Sequence, residues 1–416
     1  METTSPQKSG PTPGSDPETT PRSGPETRMG DLTASAGKSL SRQVSLRTVL
    51  RMVRDQGTIS RAELARQTGL SKQTVSEVVG DLMAAGWLCE AGQTSGTPGR
   101  TATNYRLNGS RAHVFGCDLG GTKIRLALAD LRGRILLERS VPTPPEGGET
   151  VLDQIVSLLR ELITEAGIDP ASLLSGAVGA PGAYDRATDR LRLVSNIAGL
   201  EAIHPARFFK DRLGIPIAVE NDVSIAAMGE LDLGEVPRDG TFAFLAIGTG
   251  VGLGIVSEGR ILRGARGGAG EIASLPLGGN PYDARNFASG TLESVLSSAA
   301  LLHQYHALGG AGAGSISEMF DRLEQGDPVA ARVLDEAARN IALAIVAVTA
   351  IVDPEIVVTG GAIGARPELI DRVRAALPGC TPNPTPLRIS TLGARAGLAG
   401  AVVMAVEKLH EDLFLR

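Results

Sequence analysis

The chain has 416 residues, of which 42% are hydrophobic, and a net charge of −5; one compact core does not organise that length, so two or three domains are expected. Its longest apolar run, residues 341–352, is too short to span a bilayer, and no basic-then-apolar stretch resembles a secretory signal, so a cytoplasmic protein with no membrane contact is expected. Cys89, Cys117 and Cys380 lie too far apart for a disulfide framework or a metal spacing and read as small buried hydrophobes.

Residues 1–42 are rich in Pro, Ser, Thr and Gly and hold almost no large apolar side chains, which predicts a disordered tail. Residues 43–108 form the next unit, and 46–108 carry 8 basic and 5 acidic groups, the one positive segment of an acidic chain. Leu46, Val49, Leu50 and Val53 fall at helical spacing, ended by Gly57. Ser60 with Glu63 reads as a capping box opening a second helix with Leu64 and Ala65 on its apolar face. Gly69 breaks that helix, and Ser71 caps a third bearing Val75, Val78, Val79, Leu82 and Met83, closed by Gly86. Two short strands, 87–90 and 104–107, flank a Gly/Thr/Pro loop at 92–103 that reads as a wing.

Helix, sharp glycine turn and protruding helix are the parts of a major-groove reader. Ser71, Lys72, Gln73, Thr74 and Ser76 lie on the early turns of the third helix. Gln suits adenine edges and Lys suits guanine or phosphate. Arg100, at the tip of the wing, is placed to touch phosphates or a minor groove. Double-stranded operator DNA is the expected partner. A helical module used only for protein contacts is the competing reading.

From His113 the pattern becomes strands alternating with helices. The stretches 118–136 and 247–262 each read as strand, Gly-rich turn, alternating strand, Gly-Arg turn and strand. This internal repeat predicts two similar lobes with a cleft between them within a 111–416 domain. Residues 330–352 read as a long helix apolar all round, hence buried, and 356–359 as a strand ended by Gly360 and Gly361. In DLGGTK (118–123) two glycines let backbone N–H groups approach an anion, and a hairpin rather than a helix follows, so this is not a Walker A loop. Isolated acids such as Glu230 and Glu235 read as solvated helix surface.

The segments DLGGTK, GAPG (179–182), SNIAGLE (195–201), VENDVSIAAMGE (219–230), IGTGVGLG (247–254), GGAGEI (267–272), GTLE (290–293) and VVTGGAI (357–363) stand in an order that resembles the ROK family of repressors and sugar kinases. The resemblance covers roughly residues 45–416. It implies an α/β fold: a two-lobed, actin-like sugar-kinase domain preceded by a winged helix-turn-helix. It further implies that Asn196, Asn221, Asp222, Glu271 and Glu293 hydrogen-bond sugar hydroxyls, that Asp222 is the catalytic base if the chain is kinase-active, and that Asp118, Gly120, Gly121, Thr122, Lys123, Thr249, Gly250, Gly360 and Gly361 hold a nucleotide.

Family kinases follow the GEI segment with Gly-His and a cysteine run that bind zinc. Here Ala273 and Ser274 stand in place of Gly-His, and no cysteine occurs between Cys117 and Cys380, so a structural zinc is expected to be absent. No cofactor is required, and ATP with Mg is the one the resemblance leaves open. The sequence reading is therefore a transcription regulator of carbohydrate genes, a repressor, acting as a homodimer or homotetramer with a sugar effector. The alternative is an ATP-dependent sugar kinase with a DNA-binding extension.

Overall fold

The computed structural model describes residues 40–95, 101–194, 196–234, 236–287 and 289–414. Helix α1 (Leu40–Gln56) starts three residues before the expected boundary at 43. Arg42 accounts for this: its guanidinium reaches Glu77 at 2.8 Å and Asp81 at 3.0 Å on the third helix. The expected disorder of the remaining tail, and the wing-tip Arg100, lie outside the described residues.

Next come β1 (Ile59–Ser60), α2 (Arg61–Thr68), α3 (Lys72–Ala84), β2 (Leu88–Ser95) and β3 (Thr101–Leu107). Ser60 caps α2 by accepting the Glu63 N–H. The Glu63 carboxylate turns to Arg66 and Gln67 instead of back to the cap, so the expected box is half made. Gly69, at φ 70°, ends α2 in the left-handed conformation that glycine tolerates. Val75, Val78 and Leu82 of α3 pack inward on Val49, Val53, Leu64 and Trp87. The three strands form an antiparallel sheet in the order β1-β3-β2. The wing strands run further than expected, because Gln93 and Ser95 resume pairing with Thr103 and Thr101 beyond a bulge after Glu90.

The first lobe starts with β4 (His113–Leu119), β5 (Lys123–Asp130) and β6 (Ile135–Pro142). It continues through α4 (Gly148–Ala166), β7 (Leu173–Ala180), the hairpin β8 (Ala183–Asp185) and β9 (Arg190–Arg192), α5 (Pro205–Leu213), β10 (Ile217–Asn221) and α6 (Asp222–Leu233). The second holds β11 (Thr241–Ile247), β12 (Val251–Ser257), β13 (Arg260–Ile261), α7 (Glu293–Leu296), α8 (Ser298–Ala307), α9 (Ile316–Glu324), α10 (Pro328–Val352), β14 (Ile356–Gly360), α11 (Gly361–Gly364), α12 (Pro367–Ala376) and β15 (Leu387–Ile389); α13 (Ala396–Phe414) closes the chain.

The repeat read from the sequence is present in the sheets. The order β10-β7-β4-β5-β6 in one lobe matches β15-β14-β11-β12-β13 in the other, each an antiparallel trio extended by two parallel strands. Helix α4 covers the outer face of the first sheet through Val151, Ile155, Leu159 and Leu162. Helix α10 covers the second through Leu334, Ala338, Ile341 and Ile345. It is not apolar-buried all round as expected: Leu343 is 43% and Ile351 80% exposed, because the sheet offers this helix only one face.

Helices α6 and α13 fill the space between the lobes. They cross so closely that a Cβ on Gly400 would overlap the Ile225 carbonyl oxygen and lie 2.9 Å from the Gly229 nitrogen. Gly116 of β4 also meets α13 closely, with its virtual Cβ 2.6 Å from the Val402 nitrogen. Glu230, expected at a solvated surface, is buried at this crossing and accepts from the Ser390 hydroxyl.

The far end of α13 packs against α1, so one apolar core runs from the winged helix into the first lobe. His410 sits at this junction with its Nε2 3.2 Å from the Leu131 carbonyl oxygen. Burial, then the nearby Arg54 charge, push its pKa down to about 4. The linker is fixed as well: Asn108 donates to Gly86 O at 2.8 Å, Arg111 donates to Ala85 O and stacks over Trp87, and Leu131 N donates to Gly109 O.

Candidate functional site

Between the lobes lies a cavity of about 540 Å3, within the size range of small-molecule sites. Asp118, Asn196, Asn221, Asp222, Glu271 and Glu293 all line it. Element ends place these side chains: Asp118 at the close of β4, Asn221 and Asp222 where β10 turns into α6, and Glu293 at the start of α7. Asn221 caps α6, accepting the Ser224 N–H at 2.9 Å, and its amide donates to Gly182 O at 3.2 Å. Much of its hydrogen-bonding capacity therefore holds the corner in shape.

Burial raises all four carboxyls, and like charges add to it at Asp222 and Glu271. Burial, then the charges of Asp118 and Glu271, raise Asp222 to about 7. Burial, then Glu293, raises Glu271, and burial raises Glu293 against the Val251 N–H that it accepts at 2.9 Å. Asp118 is raised by burial and held back by Arg125, paired to it at 3.0 Å. Such a set of desolvated carboxyls gathered in one cleft marks a candidate binding site.

The other half of the cavity is backbone. Gly120, Thr249, Gly250 and Gly361 line it, with the turn at Gly248 fixed by Ser298, whose N–H and hydroxyl both donate to Gly248 O. Gly121, Thr122, Lys123 and Gly360 do not line it. Gly121 packs against Asn196, and Gly360 is pressed under the Phe244 ring. Thr122 and Lys123 are exposed, with the Thr122 carbonyl accepting the Thr143 N–H. Arg125, Leu193 and Phe287 line the cavity and were not singled out in the sequence, while Ala273 and Ser274, noted there as standing in place of the family's Gly-His, line it too. Arg125 was readable, since it shares the polar face of β5 with Lys123 while Ile124 and Leu126 are buried.

The segment after Glu271 does not fit the family's zinc, having neither cysteine nor histidine before Glu293. Its described part is held by asparagine and aspartate instead: Asn280 accepts the Tyr282 N–H, Asp283 the Arg285 N–H, and Asn286 donates to Asn280 O at 2.8 Å. Among the described residues no group of three His, Cys, Asp or Glu is placed to hold a metal, and no helix is long and apolar enough to cross a membrane. Cys117 is buried as expected, Cys89 is half-buried and Cys380 exposed.

On α3, Ser71, Lys72, Gln73 and Ser76 are exposed and Thr74 is half-buried. Ser71 and Thr74 share the cap hydrogen bonds, and Gln73 donates to Glu77 at 3.1 Å. The outward reach of α3 therefore rests on Lys72, Gln73 and Ser76.

A two-lobed, actin-like cleft of the sugar-kinase type, preceded by a winged helix, defines the class of this protein. The chain belongs to the ROK family, whose model matches residues 114–408, while a MarR family model matches residues 47–100. Among curated relatives, the xylose repressor of Caldicellulosiruptor bescii is 24% identical over 336 residues, covering 77% of this chain and 84% of that protein. Among solved structures, a ROK family transcriptional regulator described as a homologue of the E. coli MLC protein matches at TM-score 0.72 and 22% identity, covering 90% of this chain and 98% of that one. A ROK hexokinase from Thermus thermophilus matches at TM-score 0.61 and 32% identity, covering 72% of this chain and 99% of the hexokinase.

Proposed function

We propose that the protein is a sugar-responsive transcriptional repressor of carbohydrate genes, acting in the cytoplasm as an operator-binding dimer. The observation that carries this reading is the joining of a helix bearing exposed Lys72 and Gln73 to a carboxyl-lined cleft by one continuous core. The similarity to a xylose repressor supports it. A sugar closing the lobes re-aims the DNA-reading helices in a dimer and lowers operator affinity, by differential binding to two arrangements. The test is fluorescence anisotropy with the protein's own promoter DNA, with and without xylose, glucose and other sugars. Absence of sequence-specific binding at moderate salt sinks the proposal.

Lys72→Ala and Gln73→Ala are each expected to weaken operator binding by about 1–3 kcal/mol. Lys72→Ala also flattens the salt dependence, and sugar binding is unchanged in both. Calorimetry alongside the anisotropy assay checks this.

Asp222 gives a pH signature. The folded state keeps its proton up to about 7, above the ordinary carboxylate value of about 4, so this group weakens the fold as pH rises across that interval. A sugar hydroxyl donating to the carboxylate offsets that cost and draws the proton off. Sugar affinity should therefore rise between pH 6 and 8 with proton release, and Asp222→Asn should flatten the curve. Calorimetry in two buffers of different ionisation enthalpy measures both.

The retained Asp222 also supports a kinase reading, in which it accepts the proton of an attacking sugar hydroxyl. Its carboxyl lines the same cavity as the Gly248–Gly252 turn, whose backbone suits phosphates; bound ATP would supply the transferable phosphoryl group. ADP release over a sugar panel, abolished by Asp222→Asn, would favour that reading.

A further inference from the structure

The polar cleft has an apolar mouth. Leu193 and Phe287 line the same cavity as the four carboxyls, yet are 58% and 73% exposed. One comes from each lobe. Leu193 follows β9, three residues before Asn196, and Phe287 lies on the loop closed by the Asn280, Asp283 and Asn286 hydrogen bonds, six residues before Glu293.

Leu193 is held at φ 60°, a conformation that a branched side chain avoids. Its neighbours hold it there: Arg192 donates to Asp185 at 3.0 Å, and Val194 N donates to Glu201 at 3.1 Å. Strain of this kind concentrates at ligand clamps. Exposed apolar side chains beside a polar cavity mark a surface that a ligand covers.

A sugar ring has a hydroxyl rim and apolar C–H faces. The carboxyl floor suits the rim of one ring, and that ring alone leaves Leu193 and Phe287 in water. We propose that the cleft is built for an uncharged disaccharide, with its inner ring on Asp222, Glu271 and Glu293 and its outer ring between Leu193 and Phe287. This rests on the sugar-binding reading above. Four carboxyls against the single Arg125 guanidinium also favour a neutral ligand over a phosphorylated one.

The test is calorimetry on the full chain with xylose, glucose and N-acetylglucosamine and their β-1,4-linked disaccharides xylobiose, cellobiose and chitobiose. One disaccharide should bind at least about tenfold more tightly than its monosaccharide, equivalent to about 1.4 kcal/mol. Phe287→Ala and Leu193→Gly should each erase most of that gain while leaving the monosaccharide within about twofold, a small fraction of a tenfold step. Leu193→Gly relieves the left-handed strain, so its melting temperature should hold or rise, which separates lost binding from lost folding.

Equal binding of both sugars by the wild type, or a gain that survives both substitutions, overturns the proposal with the sugar cleft intact. If none of the six binds, the cleft reading and this inference fall together. If Phe287→Ala leaves binding unchanged but lowers the mass in light scattering, the two side chains belong to a face between copies, and the proposal also fails.

Discussion

Gly400→Ala should cost about 3 kcal/mol or more, although the same change inside an ordinary helix stabilises by about 0.5–1 kcal/mol. The added methyl would overlap the Ile225 carbonyl, which belongs to the backbone of α6 and has no rotamer by which to yield. The helices must separate, and with them Asp222 at the head of α6 and the Asp118 carboxylate, which rests against Gly397 in the first turn of α13. Gly80→Ala in α3 is the control: nothing lies within 4 Å of its virtual Cβ, so it should stabilise. Denaturant melts of the two variants should move in opposite directions. A Gly400→Ala protein as stable as the parent would contradict the packing described between the lobes.

Glu293→Ala should produce a repressor that holds its operator but ignores sugar. Its carboxylate accepts the Val251 N–H and is one of the acids around the cavity, so a bound ligand loses a charge-assisted partner and the turn at Gly250 loses its brace. One such hydrogen bond to the ligand is worth about 1.5–3 kcal/mol, so sugar affinity should fall about 10- to 100-fold. Stability should change much less. The unpaired Val251 N–H costs the fold, while removing the like charge beside Glu271 relieves it, so the two offset and the melting temperature at pH 7 should stay near the parent's. Reduced sugar affinity accompanied by unfolding would assign Glu293 to the scaffold instead.

The sequence made the repeat legible because each lobe writes its hairpin in local signals, glycine turns between short apolar strands. The third helix was legible because Ser71 and Gly69 are chemical stops. What escaped depends on distant partners. Nothing near Glu230 in the chain announces Ser390, and nothing near Ile351 reveals that the sheet beneath α10 covers one side only. In the cleft, the acids stood out in motifs, whereas Leu193 and Phe287 lie between motifs and acquire meaning only by facing one cavity. At Gly121 and Gly360 the sequence shows that close approach is allowed but not by what: a Cβ there would meet the protein's own Asn196 and Phe244.

Helix α13 begins beside the Asp118 carboxylate and ends on α1, and its 19 residues make a rod of about 28 Å at 1.5 Å per residue. Asn108 and Arg111 tie the connecting segment to the winged helix, so the link between head and first lobe is braced at both ends of α13 and at the linker. A tilt of about 5° at the cleft end of such a rod displaces its far end by about 2.5 Å. In the dimer proposed above, that displacement doubled across a two-fold axis would approach the rise of one to two base pairs, enough to put a matched pair of reading heads out of step with the grooves they would enter together.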